Sequence, residues 1–354
     1  MSRGNEGHLR IAYLAPVLLP VPPQNAGGTE RIISDLIRGV IKQGHSATLF
    51  GPTDSTVECP VRGRYPSLTR LRERHARVPG STPGVLEAAL LDEMRGAADE
   101  FDIIHCHTEF AHAAVLAEHR PRTLTTVHWR CDELERQLFF EAFPDLPVAA
   151  ISHDQARAVP ASNLVGVVHH GFEADRYVPG GGSANRLAFL GRMTDQKRPE
   201  RAIELARRTG CELVLAGNVD GGNPGHFTEH VEPHLSDRIV HVGEVDDAGK
   251  QRLLGNAAAL VFPVDWPEPF GLVMIEAMAC GTPVIGWRNG AVAEVIEDGV
   301  NGFVVDDMDG AVKAVERLPT IDRAQVRRVF EERFSADRMV RDYLAIYRDL
   351  ATRA

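Results

Sequence analysis

Short runs of aliphatic and β-branched residues alternate along the chain with longer segments whose apolar residues recur at helical spacing. This alternation is typical of parallel sheets whose strands are joined by helical crossovers. In the first half the pattern predicts strands at 9–16, 46–51, 101–107, 123–128, 148–152 and 164–170. The segment between the first two predicts a helix that packs on the sheet through one apolar stripe, formed by Ile32, Ile33, Leu36, Ile37, Val40 and Ile41.

The same pattern restarts in the second half and predicts strands at 187–191, 212–217, 238–243, 258–263 and 283–287. A Pro-Gly-Gly-Gly-Ser run at 179–183 lies between the two series and has the composition of a linker. The last segment predicts a docked helix with a stripe of Met339, Tyr343, Ile346, Tyr347 and Leu350. We therefore expect an α/β protein with two doubly wound domains, at 1–175 and 176–334, and a terminal helix within 335–354.

The bulk composition narrows the class of protein. A length of 354 residues suits two domains of about 150–200 residues each, and 44% hydrophobic with 25% charged residues is typical of globular chains. A net charge of −10 argues against a nucleic-acid partner. Five scattered cysteines favour reduced thiols, and the apolar runs are too short to cross a bilayer. We expect a cytoplasmic protein without a transmembrane segment.

Charged residues follow the first strand of the second half, where doubly wound sheets bind their ligands. Arg192 offers a bidentate fork and Lys197 a point charge, a combination suited to a diphosphate. A solvated basic loop is the alternative. Gly271 precedes another predicted helix, whose free N–H groups would attract an anion. The sequence thus predicts an anion site at this edge.

Two carboxylates flank the start of that same helix. Glu276 lies among apolar residues inside it, where a carboxylate is costly unless a ligand such as a pair of ribose hydroxyls satisfies it. Glu268 lies in a Pro-rich turn before the helix and could reach a sugar at the other end of the ligand. For Glu268, stabilisation of the helix dipole is the alternative.

The first half contributes weaker candidates. Gly27 and Gly28 open a helix after the first strand, either as an anion-binding loop or as a simple helix-initiating turn. His128 ends a predicted strand and could donate to a sugar hydroxyl, or it could be structural. His105 and His107 share a strand face without a Cys pair or His-Glu-x-x-His spacing, so we expect no metal.

Together these stretches resemble the retaining glycosyltransferases of family 4, which have the GT-B fold. The resemblance runs in order through essentially the whole chain and comprises Gly27-Gly28-Thr29-Glu30, His128, Gly191-Arg192 with Lys197, and Glu268-Pro-Phe-Gly through Glu276-Ala-Met-Ala. It implies two Rossmann-like domains facing across a cleft, with the final helix crossing back to the N-terminal domain. It also implies hexosyl transfer from a nucleoside diphosphate sugar to a small-molecule or glycan acceptor, with retained configuration and no cofactor.

The resemblance further implies a role for each matching residue. Arg192 and Lys197 would bind the diphosphate, Glu276 the ribose and Glu268 the donor sugar, and His128 would lie at the reaction centre. The remaining donor-binding positions would be Gly27, Gly28, Phe270, Gly271, Leu272 and Val273.

Some positions depart from the family pattern. His170-Gly171 stands where the family often has Asn-Gly, and Lys197-Arg198 where it often has Lys-Gly. The Asp-Met-Asp run at 307–309 matches the metal-binding acidic pair of another glycosyltransferase fold, but we interpret it as a helix cap.

Three functional questions stay open on the sequence alone. A sugar-nucleotide epimerase and a non-catalytic sugar-nucleotide sensor could share this architecture. The segment 62–77 carries six arginines and one glutamate in an acidic protein, so it is either a solvated segment or a site for an anionic acceptor. Its two leucines, Leu68 and Leu71, are too few for an interfacial membrane helix.

Overall fold

A computed structural model of the protein describes residues 7–24 and 27–353. They form two compact units, one running to Phe172 and including the chain from Ala336, the other comprising Glu173–Ser335. Each unit is built on one parallel sheet with flanking helices. The expected fold class, α/β with two Rossmann-like domains, is confirmed.

The sheet of the first unit has the strand order β3-β2-β1-β4-β5-β6-β7, all in parallel. Its strands are β1 Arg10–Leu14, β2 Ser46–Phe50, β3 Val61–Arg62, β4 Ile103–Cys106, β5 Thr123–Thr126, β6 Val148–Ala150 and β7 Leu164–Val167. The connecting helices are α1 Gly28–Lys42, α2 Leu68–Arg74, α3 Thr82–Ala97, α4 His112–Val115, α5 Leu134–Ala142 and α6 His153–Ala156.

The sheet of the second unit has the order β10-β9-β8-β11-β12-β13, again in parallel. Its strands are β8 Arg186–Leu190, β9 Glu212–Ala216, β10 Ile239–His241, β11 Ala259–Phe262, β12 Val284–Trp287 and β13 Gly302–Val305. Its helices are α7 Pro199–Thr209, α8 Pro224–His230, α9 Asp247–Gly255, α10 Leu272–Ala279, α11 Val292–Val295, α12 Met308–Arg317 and α13 Arg323–Arg333.

The last helix, α14 Ala336–Arg353, belongs to the first unit and packs against α1. Its tyrosines bond to the sheet: Tyr347 Oη lies 2.7 Å from His105 Nδ1, and Tyr343 Oη lies 2.9 Å from Thr126 Oγ1. The apolar stripe predicted for this helix is therefore buried against the first sheet, because its aromatic rings need both apolar cover and a polar partner for each hydroxyl.

All eleven predicted strands form. Ten are shorter than their apolar runs, and β8 keeps its predicted length but lies one residue earlier, while two edge strands, β3 and β13, were not predicted. The glycine-rich run at 179–183 was wrongly interpreted as the domain linker. It lies inside the second unit, where Gly180 N donates to Cys280 O at 3.0 Å. A Cβ at Gly180 would lie 2.2 Å from Gly255 O, so glycine serves close backbone packing here. Among the described residues, no helix has the length and apolar character needed to cross a bilayer.

The contact between α1 and α14 depends on a glycine. A Cβ at Gly39 would lie 2.3 Å from Val340 Cγ2. We therefore expect Gly39→Ala to lower the free energy of unfolding of the first unit by about 1–3 kcal/mol, as overpacking does. Urea denaturation followed by circular dichroism measures this change.

Gly96 provides the matched control, because it also lies in a helix, α3, yet an added Cβ there meets no atom within 4 Å. Gly96→Ala should raise stability by up to about 1 kcal/mol. Combining Gly39→Ala with Val340→Ala should cost less than the sum of the two single changes. Equal effects at Gly39 and Gly96 would show that α14 does not pack as described.

Candidate functional site

Two neighbouring strands of the second sheet carry the charged residues of the candidate site. β8 and β11 lie side by side where the strand order changes direction, which is where doubly wound sheets bind ligands. Lys197 follows β8 and Glu268 follows β11, and Lys197 Nζ forms an ion pair with Glu268 Oε2. The structure thus brings together two residues that were predicted separately.

Aromatic rings enclose this ion pair. Lys197 Nζ lies 5.2 Å from the ring centroid of Trp266 and 5.6 Å from that of Phe262. Trp266 Nε1 donates to Glu268 Oε2 at 2.8 Å. The two charged side chains are only 16% and 9% exposed. Because little water reaches these two charges, their interaction is only weakly screened. Removing either partner would leave the other charge buried and uncompensated.

Backbone hydrogen bonds join the loops after β8, β11 and β12. Asp265 N donates to Gln196 O, and Ala291 N donates to Glu268 O, both at 2.9 Å. Gly290 has φ 55°, and a Cβ there would lie 2.3 Å from Glu268 O. The turn that carries Glu268 is therefore held from both sides by its neighbours.

Arg192 lies at the end of the same edge, directly after Gly191. Its Nη1 is 4.0 Å from Asp220 Oδ2, beyond hydrogen-bond distance, and its side chain is 43% exposed. Asp220 lies near Arg192 because the loop after β9 packs closely against the loop after β8. A Cβ at Gly217 would lie only 1.9 Å from Gly191 O. The Arg192 guanidinium therefore retains donors that could bind an anion.

Arg198 explains one departure from the family pattern. It precedes α7 with φ 52° and ψ 53°, the left-handed conformation that glycine adopts without strain. A side chain in this conformation costs about 1 kcal/mol or more. Ion pairs to Glu200 at 3.2 Å and Asp265 at 3.3 Å offset this cost. The arginine thus holds a left-handed conformation that a glycine would adopt without strain.

Glu276 is buried in α10 with only one of its oxygens satisfied. Lys250 Nζ, from α9, lies 2.7 Å from Glu276 Oε1. Oε2 has no hydrogen-bond partner within the part of the chain that the structure describes, and the residue is 6% exposed. Buried polar atoms are nearly always paired, so this oxygen is available to a ligand that donates hydrogen bonds.

The N-terminus of α10 supplies further donors. Gly271 precedes the helix in the left-handed conformation, with φ 84°. Leu272 and Val273 occupy the first turn, where backbone N–H groups lack acceptors within the helix. The ring of Phe270 is buried and packs against Phe334. Phe270, like the glycine beside it, can therefore meet a ligand only through its backbone.

In the first unit, His128 lies two residues beyond β5 rather than at its end. Its Nε2 is 2.8 Å from His107 Nδ1, and its ring stacks on that of His170 with centroids 5.2 Å apart. Burial lowers the pKa of His128 to about 3. The imidazole is therefore neutral near pH 7 and can exchange one hydrogen bond with a ligand, but it supplies no positive charge.

Gly27 and Gly28 lie at the start of α1. A Cβ at Gly27 would lie 2.7 Å from Pro23 Cγ, so the turn itself requires glycine. This packing accounts for Gly27 without a ligand. Residues 25–26 of the same predicted loop lie outside the described residues.

Half of the arginines in the segment 62–77 are neutralised within the first unit. Their ion pairs are Arg62 with Glu100 at 2.9 Å, Arg64 with Asp92 at 3.0 Å and Arg70 with Glu73 at 2.7 Å. Arg72, Arg74 and Arg77 form no ion pair with any residue that the structure describes. The segment therefore keeps part of its positive charge for solvent or an anionic ligand.

The acidic run at 307–309 caps a helix, as expected. Asp307 Oδ1 accepts a hydrogen bond from Gly310 N at 2.7 Å at the start of α12. Asp309 pairs with Arg208 at 3.0 Å. Both carboxylates thus have structural partners.

Sequence reasoning missed Lys250, Trp266 and His107 as members of the site. Lys250 is one cation in a polar helix, and nothing in its neighbourhood marks it as the partner of Glu276. Trp266 lies two positions before Glu268, and no role was expected for it. His107 was considered only as a possible metal ligand on the strand face that it shares with His105, whereas its contact with His128 depends on the pairing of β4 with β5.

Comparison with known proteins identifies the family of this chain. The model of the group 1 glycosyl transferases matches residues 179–332, and that of glycosyltransferase family 4 matches residues 26–172. The D-inositol 3-phosphate glycosyltransferase of Mycolicibacterium smegmatis is 31% identical over 85% of this chain and 80% of its own. The chain belongs to the family 4 glycosyltransferases of the GT-B fold.

Solved structures of the same fold cover nearly the whole chain. Sucrose-phosphate synthase from Thermosynechococcus elongatus has a TM-score of 0.76 at 19% identity, covering 98% of this chain and all of its own. HepE from Anabaena, in complex with UDP and glucose, has a TM-score of 0.70 at 18% identity, covering 97% and 100%. At these identities the likeness concerns the fold.

Four buried histidines and the half-buried His128 make the first unit sensitive to acid. Burial lowers the pKa of all of them, to about 3 for His112 and His128. Below pH 6.5 these histidines bind protons in the unfolded chain but not in the folded unit. The free energy of unfolding therefore falls as the pH is lowered, by up to about 1.4 kcal/mol per pH unit for each histidine. The three other histidines whose pKa is lowered by burial are His105, His107 and His170.

Hydrogen exchange in urea, read by mass spectrometry at pH 7.5 and pH 5.5, measures this loss in each unit separately. We expect protection of β4 and β5 to fall markedly at the lower pH. Equal protection of these strands at both values would contradict the neutral state of the five rings.

The ion pair of Lys250 with Glu276 should contribute to stability. Lys250→Met leaves the Glu276 carboxylate buried without a cation, and we expect a loss of about 3–5 kcal/mol in the free energy of unfolding. Adding Glu276→Leu should recover most of it, because no charge then remains buried. Urea denaturation measures both variants.

The exposed pair of Lys42 with Asp337 is the matched control, since its side chains are 57% and 51% exposed. Lys42→Met should cost less than about 1 kcal/mol. A similar loss at both lysines would mean that the contact with Glu276 is not a buried pair.

Proposed function

We propose that this glycosyltransferase moves a hexose from a nucleoside diphosphate sugar to an acceptor hydroxyl, with retained configuration and without a divalent metal. The observation that carries the proposal is the unsatisfied Oε2 of buried Glu276 on the helix that begins beside Glu268. Ribose hydroxyls would supply the missing donors. The ion pair of Lys197 with Glu268 lies at the start of the same helix.

The charges of the second unit suit the departure of a diphosphate. Arg192, Lys197 and the N–H groups at the start of α10 can stabilise the negative charge that develops on the leaving group. The bond from the anomeric carbon to the diphosphate oxygen breaks as the acceptor oxygen bonds from the same face. The acceptor proton passes to the departing phosphate, so no protein nucleophile is assigned. Glu268 would bind the donor sugar.

On the first unit, His128 would meet the sugar or acceptor through one neutral nitrogen. The three unpaired arginines of the segment 62–77 support an anionic acceptor. The Mycolicibacterium smegmatis relative is named after D-inositol 3-phosphate, a phosphorylated cyclitol. The structure of HepE was solved in complex with UDP and glucose. We therefore propose a UDP-sugar as the first donor to test and a phosphorylated polyol as the first acceptor.

The cellular setting proposed is the cytoplasm. All five cysteines are free thiols, four of them buried, which is usual in a reducing compartment. Nucleoside diphosphate sugars would be available to the enzyme there.

The proposal is tested by incubating the protein with UDP-, GDP- and ADP-sugars, with and without acceptors, and resolving the products by mass spectrometry and NMR. We expect a glycosylated acceptor with the donor's anomeric configuration, at a rate unchanged by EDTA. Arg192→Ala should lower kcat/KM by about a hundredfold or more, because a charge-stabilising donor is lost.

Arg186→Ala is the matched control, since Arg186 lies at the opposite end of β8 with the same 43% side-chain exposure and pairs with Glu212. It should leave transfer near normal. An epimerised donor without transfer would instead support an isomerase, and binding without turnover would support a sensor. Inverted configuration, or an EDTA-sensitive rate, would overturn the corresponding part of the proposal.

A further inference from the structure

His107 contacts the candidate catalytic histidine directly. It follows β4, and His128 lies just beyond the neighbouring strand β5, so the two rings meet with centroids 5.1 Å apart. His107 Nδ1 and His128 Nε2 are separated by 2.8 Å, a hydrogen-bond distance. A single proton must lie between these two nitrogens.

Both rings are uncharged near neutral pH. Burial lowers the pKa of His107 well below its usual value, and nearby imidazoles lower it further. Burial also lowers the pKa of His128 to about 3. Each neutral imidazole carries one N–H and one lone pair, so one ring must donate and the other must accept. The direction of this bond decides which nitrogen of His128 carries its proton.

The second nitrogen of His107 distinguishes the two directions. His107 Nε2 is buried and has no hydrogen-bond partner among residues 7–24 and 27–353. If His128 donated, His107 would carry its proton on Nε2 as a buried N–H without an acceptor. If His107 donates, Nε2 is only an unshared lone pair. Orphaned buried N–H groups are rarer in proteins than unsatisfied acceptors, which favours His107 as the donor.

We propose that His107 is a positioning residue that donates from Nδ1 to His128 Nε2 and thereby holds the proton of His128 on Nδ1. No described residue forms a hydrogen bond with His128 Nδ1, so this N–H is left for a ligand. His128 then donates to an oxygen and cannot remove a proton from the acceptor hydroxyl. The catalytic consequence rests on the proposed transfer reaction, whereas the tautomer does not.

The surrounding network leaves His107 free to act in this way. The adjacent ring, His105, has both nitrogens engaged, with Tyr347 Oη and Thr126 Oγ1, each at 2.7 Å. It therefore does not compete for the Nδ1 proton of His107. The ring of Tyr13 stacks on His107 with centroids 6.2 Å apart and limits its rotation.

The tautomer can be observed without any activity assay. In protein labelled with nitrogen-15 histidine, two-bond nitrogen–proton correlations distinguish the Nδ1–H form from the Nε2–H form, and loss of one signal in His128→Gln assigns His128. We expect the Nδ1–H form in the wild-type protein. Observation of the Nε2–H form in the wild type would overturn the proposal, whatever the activity.

Substitutions test whether His107 is the cause. His107→Leu removes the donor, and we expect His128 to change to the Nε2–H form and kcat to fall about tenfold, with the donor KM nearly unchanged. His107→Asn places an amide donor near the position of Nδ1 and should restore the Nδ1–H form and most of kcat. An unchanged tautomer in His107→Leu would also overturn the proposal.

His112 supplies the control. It is fully buried, its pKa is lowered to about 3 like that of His128, and it bonds to Thr108 and Thr125 rather than to His128. His112→Leu should destabilise the first unit but leave the tautomer of His128 unchanged. If the tautomer matches the proposal and no transfer is detected with any donor, the proposed function fails while the positioning role stands.

Discussion

Parallel pairing of β8 with β11 is the constraint on which the chemistry of the second unit depends. Parallel neighbours end at the same edge of a sheet, so Lys197 and Glu268 meet although 71 positions separate them along the chain. Trp266 and the backbone of the adjoining loops then hold the two charges in place. Arg192 and the start of α10 lie at this carboxyl edge too, which gives one surface both cationic donors and carboxylate acceptors.

The candidate site residues of the two units bury their polar groups in different ways. In the second, opposite charges pair and leave one carboxylate oxygen of Glu276 unsatisfied. In the first, neutral imidazoles bond to one another and to hydroxyls, as His105 does with Tyr347. Charged groups suit a diphosphate, whereas neutral donors suit sugar or acceptor oxygens. This difference supports the assignment of the donor to the second unit and of His128 to the reacting sugar.

Backbone conformation also contributes to the site. Arg198 keeps the left-handed conformation ahead of α7 because its guanidinium pairs with Glu200 and Asp265. Gly271 takes a similar conformation ahead of α10. In both loops a residue with positive φ directs the chain from the strand end into the helix. This residue is an arginine in one loop and a glycine in the other.

The sequence by itself determined the alternation of strands and helices, because adjacent residues carry the periods of 2.0 and 3.6 that define these elements. Lys197 and Glu268, which follow predicted strands, and His128, which ends one, could be selected for the same reason. The glycines at 179–183 were misread because close packing and linker flexibility favour the same residue. Only the tertiary structure paired Lys250 with Glu276 and His107 with His128, since such contacts depend on strand order and helix packing, which no local pattern contains.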